Sequence, residues 1–140
     1  LGERQFANLF KKAVNQEGNT EYNLKKLLEL RFDNIVYRMG YTKSRAQARQ
    51  LIVHGHFMVN GKKVNVPSFH MSVGDEVSIR EKSQGSPVYK DMKEGETASD
   101  RPVYVSVDEK KLTGKLTSIP SEEDVKGLFD GKLIIEFYSR

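Results

Sequence analysis

Apolar side chains in the first part of the chain recur at intervals of three and four, the spacing of one helix face, and four such stripes follow one another. Phe6, Leu9, Phe10 and Ala13 make the first, which stops at Gly18, a residue suited to a left-handed C-terminal cap. The second helix begins at Asn19 or Thr20, either of which can cap it, runs through Leu24, Leu27 and Leu28, and breaks or bends near Leu30. Phe32, Ile35, Val36 and Met39 form the third stripe, ended by Gly40, with Arg31, Asn34 and Arg38 on a different face. Ser44 followed three residues later by Gln47 spells a capping box. It opens a fourth helix in which Ala48, Leu51 and Ile52 look inward, Arg45 and Arg49 share an outward face, and Gly55 ends the run.

From Phe57 onward the apolar residues fall into short β-prone runs. Asn60 and Gly61 separate two of them within Phe57 to Val64, and Asn-Gly is the strongest short hairpin signal because both turn residues take positive φ. Val73 to Arg80, Val103 to Val107, Leu112 to Ile119 and Leu133 to Tyr138 read as further strands, with a short helix from Ser121 to Phe129 before the last. In that helix Val125, Leu128 and Phe129 are expected inward, and Glu122, Glu123 and Asp124 complement its N-terminus. Ser83 to Pro102, rich in Gly, Ser, Pro and charge, reads as a mobile connection with one or two helical turns around Val88 to Lys93. No internal repeat is visible.

Charge sharpens this picture. The net charge is +4, but residues 1 to 63 hold 12 Lys/Arg against 5 Asp/Glu while residues 64 to 140 hold 11 against 14. A basic lobe joined to a mildly acidic one suits a polyanion-binding surface, since phosphate neutralisation drives affinity through counterion release, although solvated helix faces look similar. The 140 residues allow one domain or a domain with a helical arm, and not an enzyme domain beside a separate binding domain. The lack of cysteine excludes disulfides, thiolate metal sites and cysteine nucleophiles. No apolar run approaches the roughly 20 residues of a membrane span, and no signal core opens the chain, so the expectation is a soluble cytoplasmic protein with no membrane partner.

The stretch SRAQARQLIVHGHFMVNGKKV, Ser44 to Val64, concentrates the candidate chemistry. Arg45 and Arg49 on a helix face, His54 and His56 in a turn, and Asn60, Lys62 and Lys63 at a hairpin tip would build a basic edge able to follow an RNA backbone. Arg offers bidentate phosphate contacts, Lys diffuse charge, and Asn or Gln reach hydroxyls. Arg31, Asn34 and Arg38 lie beside this segment, as do Tyr41, expected exposed after Gly40, and Lys43; Arg4, Lys11 and Lys12 are polar positions of the first helix. The candidate RNA-binding set is therefore Arg4, Lys11, Lys12, Arg31, Asn34, Arg38, Tyr41, Lys43, Ser44, Arg45, Gln47, Arg49, His54, His56, Asn60, Lys62 and Lys63. His54 and His56 admit a metal pair, a phosphate or stacking contact, or plain turn packing; with no Cys and only His70 besides, no metal is expected. Tyr37, Tyr41 and Phe57 are aromatic candidates for stacking, with Phe57 assigned to the core under the hairpin. Asp33 and Asp75 have no evident catalytic partner and read as structural, so no catalytic residue and no cofactor are expected.

The same segment resembles the small RNA-binding module named after bacterial small-subunit ribosomal protein four, which also occurs in some pseudouridine synthases, tyrosyl-tRNA synthetases and heat-shock proteins. The flanks, LLELRFDNIVYRMGYTKSRAQARQLIVHGHFMVNGKKVNVPS from Leu27 to Ser68 and the terminal LIIEFYSR, look like the ribosomal version. The resemblance implies binding to the 5′ domain of small-subunit ribosomal RNA at a multi-helix junction, early in subunit assembly. It also implies a contact of the C-terminal residues Tyr138, Ser139 and Arg140 with neighbouring small-subunit ribosomal protein five, an influence on translational accuracy and, in many members, binding to the protein's own messenger. Family members carry an N-terminal extension, sometimes zinc-binding, so Leu1 is expected to be a truncation or a disordered end. They also carry a longer helix and a Trp-containing segment where this chain has Ser83 to Tyr104, and no contact is carried over there.

The expected fold is α+β: N-terminal helices over 1–30, a helix-helix-hairpin RNA-binding module over 31–92, and strands with a short helix over 93–140. These last complete a mostly antiparallel sheet with helices on one face. The alternatives are an RNA-modifying enzyme fragment, for which residues 83 to 140 are too few, and a stress-response RNA binder, against which the C-terminal strands count.

Overall fold

The computed structural model describes residues 3–15, 18–85, 101–108 and 111–128. The chain divides into two compact units, Leu1–Glu29 with Pro120–Arg140, and Leu30–Ile119.

In the first unit, helices α1 (Glu3–Asn15) and α2 (Thr20–Glu29) follow the two leading apolar stripes. Ala13, Leu24, Leu27 and Leu28 are buried together, and Phe6, Leu9 and Phe10 pack against them. Asn19 is the residue that caps α2, its Oδ1 accepting from the Tyr22 amide at 3.2 Å. A short helix, α5 (Glu122–Val125), has a complete capping box: the Asp124 amide donates to Ser121 Oγ and the Ser121 amide to Asp124 Oδ2. Its three acidic residues occupy the first turn, where the helix dipole favours them. Lys25 Nζ donates to the Lys126 carbonyl and Tyr22 Oη to the Pro120 carbonyl, tying α2 to this segment. Val125 is buried as expected, whereas Leu128 is only half-buried; Phe129 lies outside the described residues.

The second unit holds α3 (Phe32–Arg38), α4 (Arg45–Val53), strands β1 (Phe57–Val59), β2 (Lys62–Lys63) and β3 (Glu76–Ile79), a 3₁₀ turn (Glu81–Gly85), and strands β4 (Val105–Asp108) and β5 (Thr113–Leu116). All pairings are antiparallel, in the order β2-β1-β3-β5-β4. The α+β class is therefore the observed one. Register explains why one sheet face is buried: Phe57 lies opposite Ile79, Val59 opposite Val77, Val77 opposite Gly114, and Val105 opposite Leu116. With side chains alternating along each strand, these residues share a face and form one core with Phe32, Ile35 and Val36 of α3, its C-cap Met39, and Ala48, Leu51 and Ile52 of α4. At Gly114 the C-cap residue of α3 lies directly on the sheet, since a side chain there would set its Cβ 2.5 Å from Met39 Sδ. The β1–β2 turn has φ of 52° at Asn60 and 79° at Gly61, both positive as the Asn-Gly pair predicts.

The strands are shorter than the apolar runs suggested: Val73 to Arg80 reduces to Glu76–Ile79 and Leu112 to Ile119 to Thr113–Leu116. At their ends the backbone turns instead, with Leu112 at φ 53° and the Gly74 amide donating to the Leu116 carbonyl. The expected helical turns at Val88 to Lys93 and the strand at Leu133 to Tyr138 lie outside the described residues.

Candidate nucleic-acid interface

Helix α4 begins as its sequence dictates. Ser44 is the N-cap, accepting from the Gln47 amide at 3.0 Å, but the return arm of the expected box differs: Gln47 Oε1 accepts from the Lys43 amide at 2.8 Å. Ser44 and Gln47 thus hold the helix start in place, with Lys43 exposed beside them.

The groove between α3 and α4 is organised around guanidinium groups. Arg31 Nε and Nη2 donate to both oxygens of Asp33 at 3.2 and 3.1 Å, and Arg49 Nη1 stands 3.8 Å from Asp33 Oδ2. One turn along, Arg45 Nε donates to Asn34 Oδ1 at 2.7 Å while its guanidinium lies over the Tyr37 ring, 4.8 Å from the centroid. Arg38 approaches the same ring at 5.7 Å. Four arginines thus converge on one carboxylate and one aromatic ring. Arg49 is the open member, with 47% of its side chain exposed, while Arg45 and Arg38 are half-buried.

Two expectations need correcting here. Tyr41 is not exposed: Gly40 turns the chain back so that its ring packs against Phe57, with centroids 6.0 Å apart, and 5% of the residue remains accessible. Burial raises its phenol above the ordinary tyrosine range. Arg31 and Asn34 do not stand out on a solvated face but are buried against α4 and the loop after the hairpin, the Arg31 backbone bridging to His70. Asp33, read from the sequence as structural, is the acceptor that holds two arginines and the Asn34 amide.

Beyond α4 the chain turns at Gly55, which has φ of 81°. His54 is exposed, and its ring meets that of His56 edge-on at 6.4 Å. His56 Nδ1 lies 2.8 Å from the buried Ser83 hydroxyl, and burial together with the neighbouring His54 and Arg80 lowers its pKa from the ordinary 6.5. At the hairpin tip Lys62 and Lys63 are exposed, whereas the Asn60 side chain is engaged within the fold. Its Oδ1 accepts from the Glu76 amide and its Nδ2 donates to Asp75, both at 2.9 Å. Asp75 also accepts from the Ser72 amide, so this second carboxylate is a turn former.

Of the sequence candidates, the structure gathers Lys43, Arg45, Arg49, His54, His56, Lys62 and Lys63 along α4, its following turn and the hairpin, with Arg38 at the end of α3. Arg4, Lys11 and Lys12 are exposed on α1, in the other unit. Tyr138, Ser139 and Arg140 lie outside the described residues. Sequence reasoning missed Arg80, since nothing local marks a basic residue at a strand end as part of the turn it faces. Among the described residues no three His, Cys, Asp or Glu side chains cluster so as to hold a metal, and no helix is long and apolar enough to cross a membrane.

Two short helices packed on a five-stranded antiparallel sheet, with arginines lining their groove and lysines on the adjoining hairpin, define a basic helix-helix-hairpin module. Residues 30–77 match the S4 domain. Over nearly its whole length the chain is similar to small ribosomal subunit proteins. It is 48% identical to uS4A of Alkaliphilus metalliredigens over 138 residues, 99% of this chain and 66% of that protein. It is 47% identical to uS4 of Brevibacillus brevis over 140 residues, 100% of this chain and 69% of that protein. With uS4 of Syntrophomonas wolfei the identity is 45% over 140 residues, 100% of this chain and 67% of that protein. The chain belongs to the uS4 family of small ribosomal subunit proteins, and spans about two thirds of the length of these relatives.

Proposed function

We propose that the chain is a non-enzymatic component of the cytoplasmic small ribosomal subunit that binds the 5′ domain of its ribosomal RNA during early assembly. The observation that carries this reading is the gathering of ordered arginines along α3 and α4, continued by exposed Lys43, His54, Lys62 and Lys63, in a chain of the uS4 family. Folded RNA presents phosphates and 2′-hydroxyls more readily than base edges, and an ordered set of guanidinium groups is suited to phosphates. Lys43, Arg45, Arg49, His54, Lys62 and Lys63 make the contacts. Arg31, Asn34, Ser44, Gln47 and Asn60 position them, because each already spends its side chain inside the fold. Exposed Arg4, Lys11 and Lys12 add a second basic surface on α1.

The resemblance to small-subunit ribosomal protein four further supports a contact of Tyr138, Ser139 and Arg140 with small-subunit ribosomal protein five, a role in translational accuracy, and binding to the protein's own messenger. The RNA-binding proposal is tested by filter-binding titration against the folded 5′ domain, with transfer RNA and large-subunit fragments as competitors, at several salt concentrations. Tight, competitor-resistant binding is the expected result. Equal, steeply salt-dependent binding to every RNA would reduce the chain to a generic RNA binder.

A further inference from the structure

The turn at Gly55 brings together two cations that sequence does not connect. Arg80 follows β3, and its amide donates to the His56 carbonyl at 2.9 Å, which fixes Arg80 opposite His56 on the outer face of the sheet. Its Nη1 reaches across to donate to the Gly55 carbonyl at 3.2 Å. Lys63 lies opposite Met58 and so shares that outer face. A side chain at Gly55 would have its Cβ 2.8 Å from Lys63 Cε, 3.4 Å from Lys63 Nζ and 3.6 Å from Arg80 Nη1. The two charged nitrogens therefore stand no more than about 7 Å apart, with Lys63 Cε passing over the Gly55 backbone where a side chain would otherwise stand.

Among the described residues no carboxylate pairs with Lys63 or Arg80. The exposed His54 and the His56 ring stand at the same turn, and Glu81, the acid that follows Arg80, makes no ion pair with either cation among the described residues. Like charges held at this separation repel, and a fold gains nothing from such an arrangement unless an anion joins them. A phosphate group, with several acceptor oxygens, is of a size to accept from an ammonium and a guanidinium so spaced.

We propose that Lys63 and Arg80 hold one phosphodiester of the bound RNA over the Gly55 turn. This phosphate site rests on the RNA-binding reading, and adds to it a residue outside the α4 and hairpin segment. Gly55 belongs to it twice over, since its φ of 81° suits glycine and its lack of a side chain lets Lys63 pass over the turn toward Arg80.

The test is a double-mutant cycle of Lys63→Gln, Arg80→Gln and the pair, read by filter binding to a transcript of the small-subunit 5′ domain across a salt series. Each single variant is expected to weaken binding by roughly tenfold and to lower the salt slope by about one. The double variant is expected to lose little more than either single one, because both groups serve the same phosphate. Full affinity in Lys63→Gln, whose side chain has no hydrogen-bond or ion-pair partner within the described fold to lose, overturns the proposal. So does a double variant whose loss is the product of the two, with the slope lowered by about two, since that marks two separate phosphates. The two readings fail separately. A chain that binds the 5′ domain no better than transfer RNA defeats the ribosomal assignment, while the cycle repeated on transfer RNA still decides the phosphate site.

Discussion

Replacing Asp33 by Ala tests the guanidinium groove at its centre. Asp33 is 3% accessible, and it accepts two bonds from Arg31, whose side chain is itself only 10% exposed, and one at 2.7 Å from the Asn34 amide. Removing one partner of a buried, hydrogen-bonded ion pair strands the other charge, at a cost of about 3–5 kcal/mol. The second arginine contributes little to this, because Arg49 is half-exposed and 3.8 Å away, and such pairs contribute about 0–1 kcal/mol. Asp33→Ala should therefore destabilise by several times as much as Arg49→Ala. For the Leu30–Ile119 unit, at about 4 °C per kcal/mol, the fall in Tm should be at least roughly 12 °C, followed by circular dichroism. A fall of only a few degrees, equal to that of Arg49→Ala, would mean that Arg31 can swing to solvent and that Asp33 does not organise the groove.

Arg45→Ala together with Arg49→Ala should weaken binding to the 5′ domain and lower the salt slope by about two in filter binding, whereas unchanged affinity would remove α4 from the interface. Tyr41→Phe should leave RNA affinity unchanged and should not lower Tm, because the Tyr41 hydroxyl is buried without a hydrogen-bond partner among the described residues; a loss of affinity would return Tyr41 to the binding surface. Gly55→Ala should cost about 1–2 kcal/mol in thermal unfolding, as its φ of 81° is strained for any residue with a Cβ and Lys63 must also move. The pKa of His56 is lowered in the folded chain, so the unfolded chain takes up the proton first as pH falls. That part of the stability is complete above about pH 6.5, the ordinary histidine value, and is lost below it. His56→Gln should flatten this dependence in urea titrations at pH 5 to 8, and an unchanged slope would exclude His56 as its source.

What the sequence reveals and what it hides divide along the range of the interactions. Asn19, Ser44, Ser121 and the Asn60–Gly61 turn act on residues two to four positions away, so their roles follow from spacing alone. The stripe of Phe32, Ile35, Val36 and Met39 is likewise a local signal of which face turns inward. The placements that sequence reading missed depend on partners from other elements. Asn34 looks like a free polar residue until α4 brings Arg45 to it, and Tyr41 looks exposed until β1 brings Phe57 beneath it. Asn60 serves as a turn residue, as read, yet its amide is occupied by Asp75 and Glu76, which lie fifteen and sixteen residues further on. Arg80 joins the Gly55 turn through the β1–β3 register, which no window of the sequence contains. The basic character of the surface was therefore legible, while the division between residues that face outward and residues that hold them in place was not.

The chain has no cysteine, so a single introduced thiol can report where RNA lies. A cleavage reagent tethered at Ala46→Cys, exposed between Arg45 and Gln47, should cut the small-subunit 5′ domain at a confined set of nucleotides. The same reagent at Ser106→Cys, on β4 at the opposite edge of the sheet from the β1–β2 hairpin, should cut weakly or not at all. Strong cleavage from Ser106→Cys with none from Ala46→Cys would contradict the central claim that the α3–α4 groove and the adjoining hairpin hold the RNA.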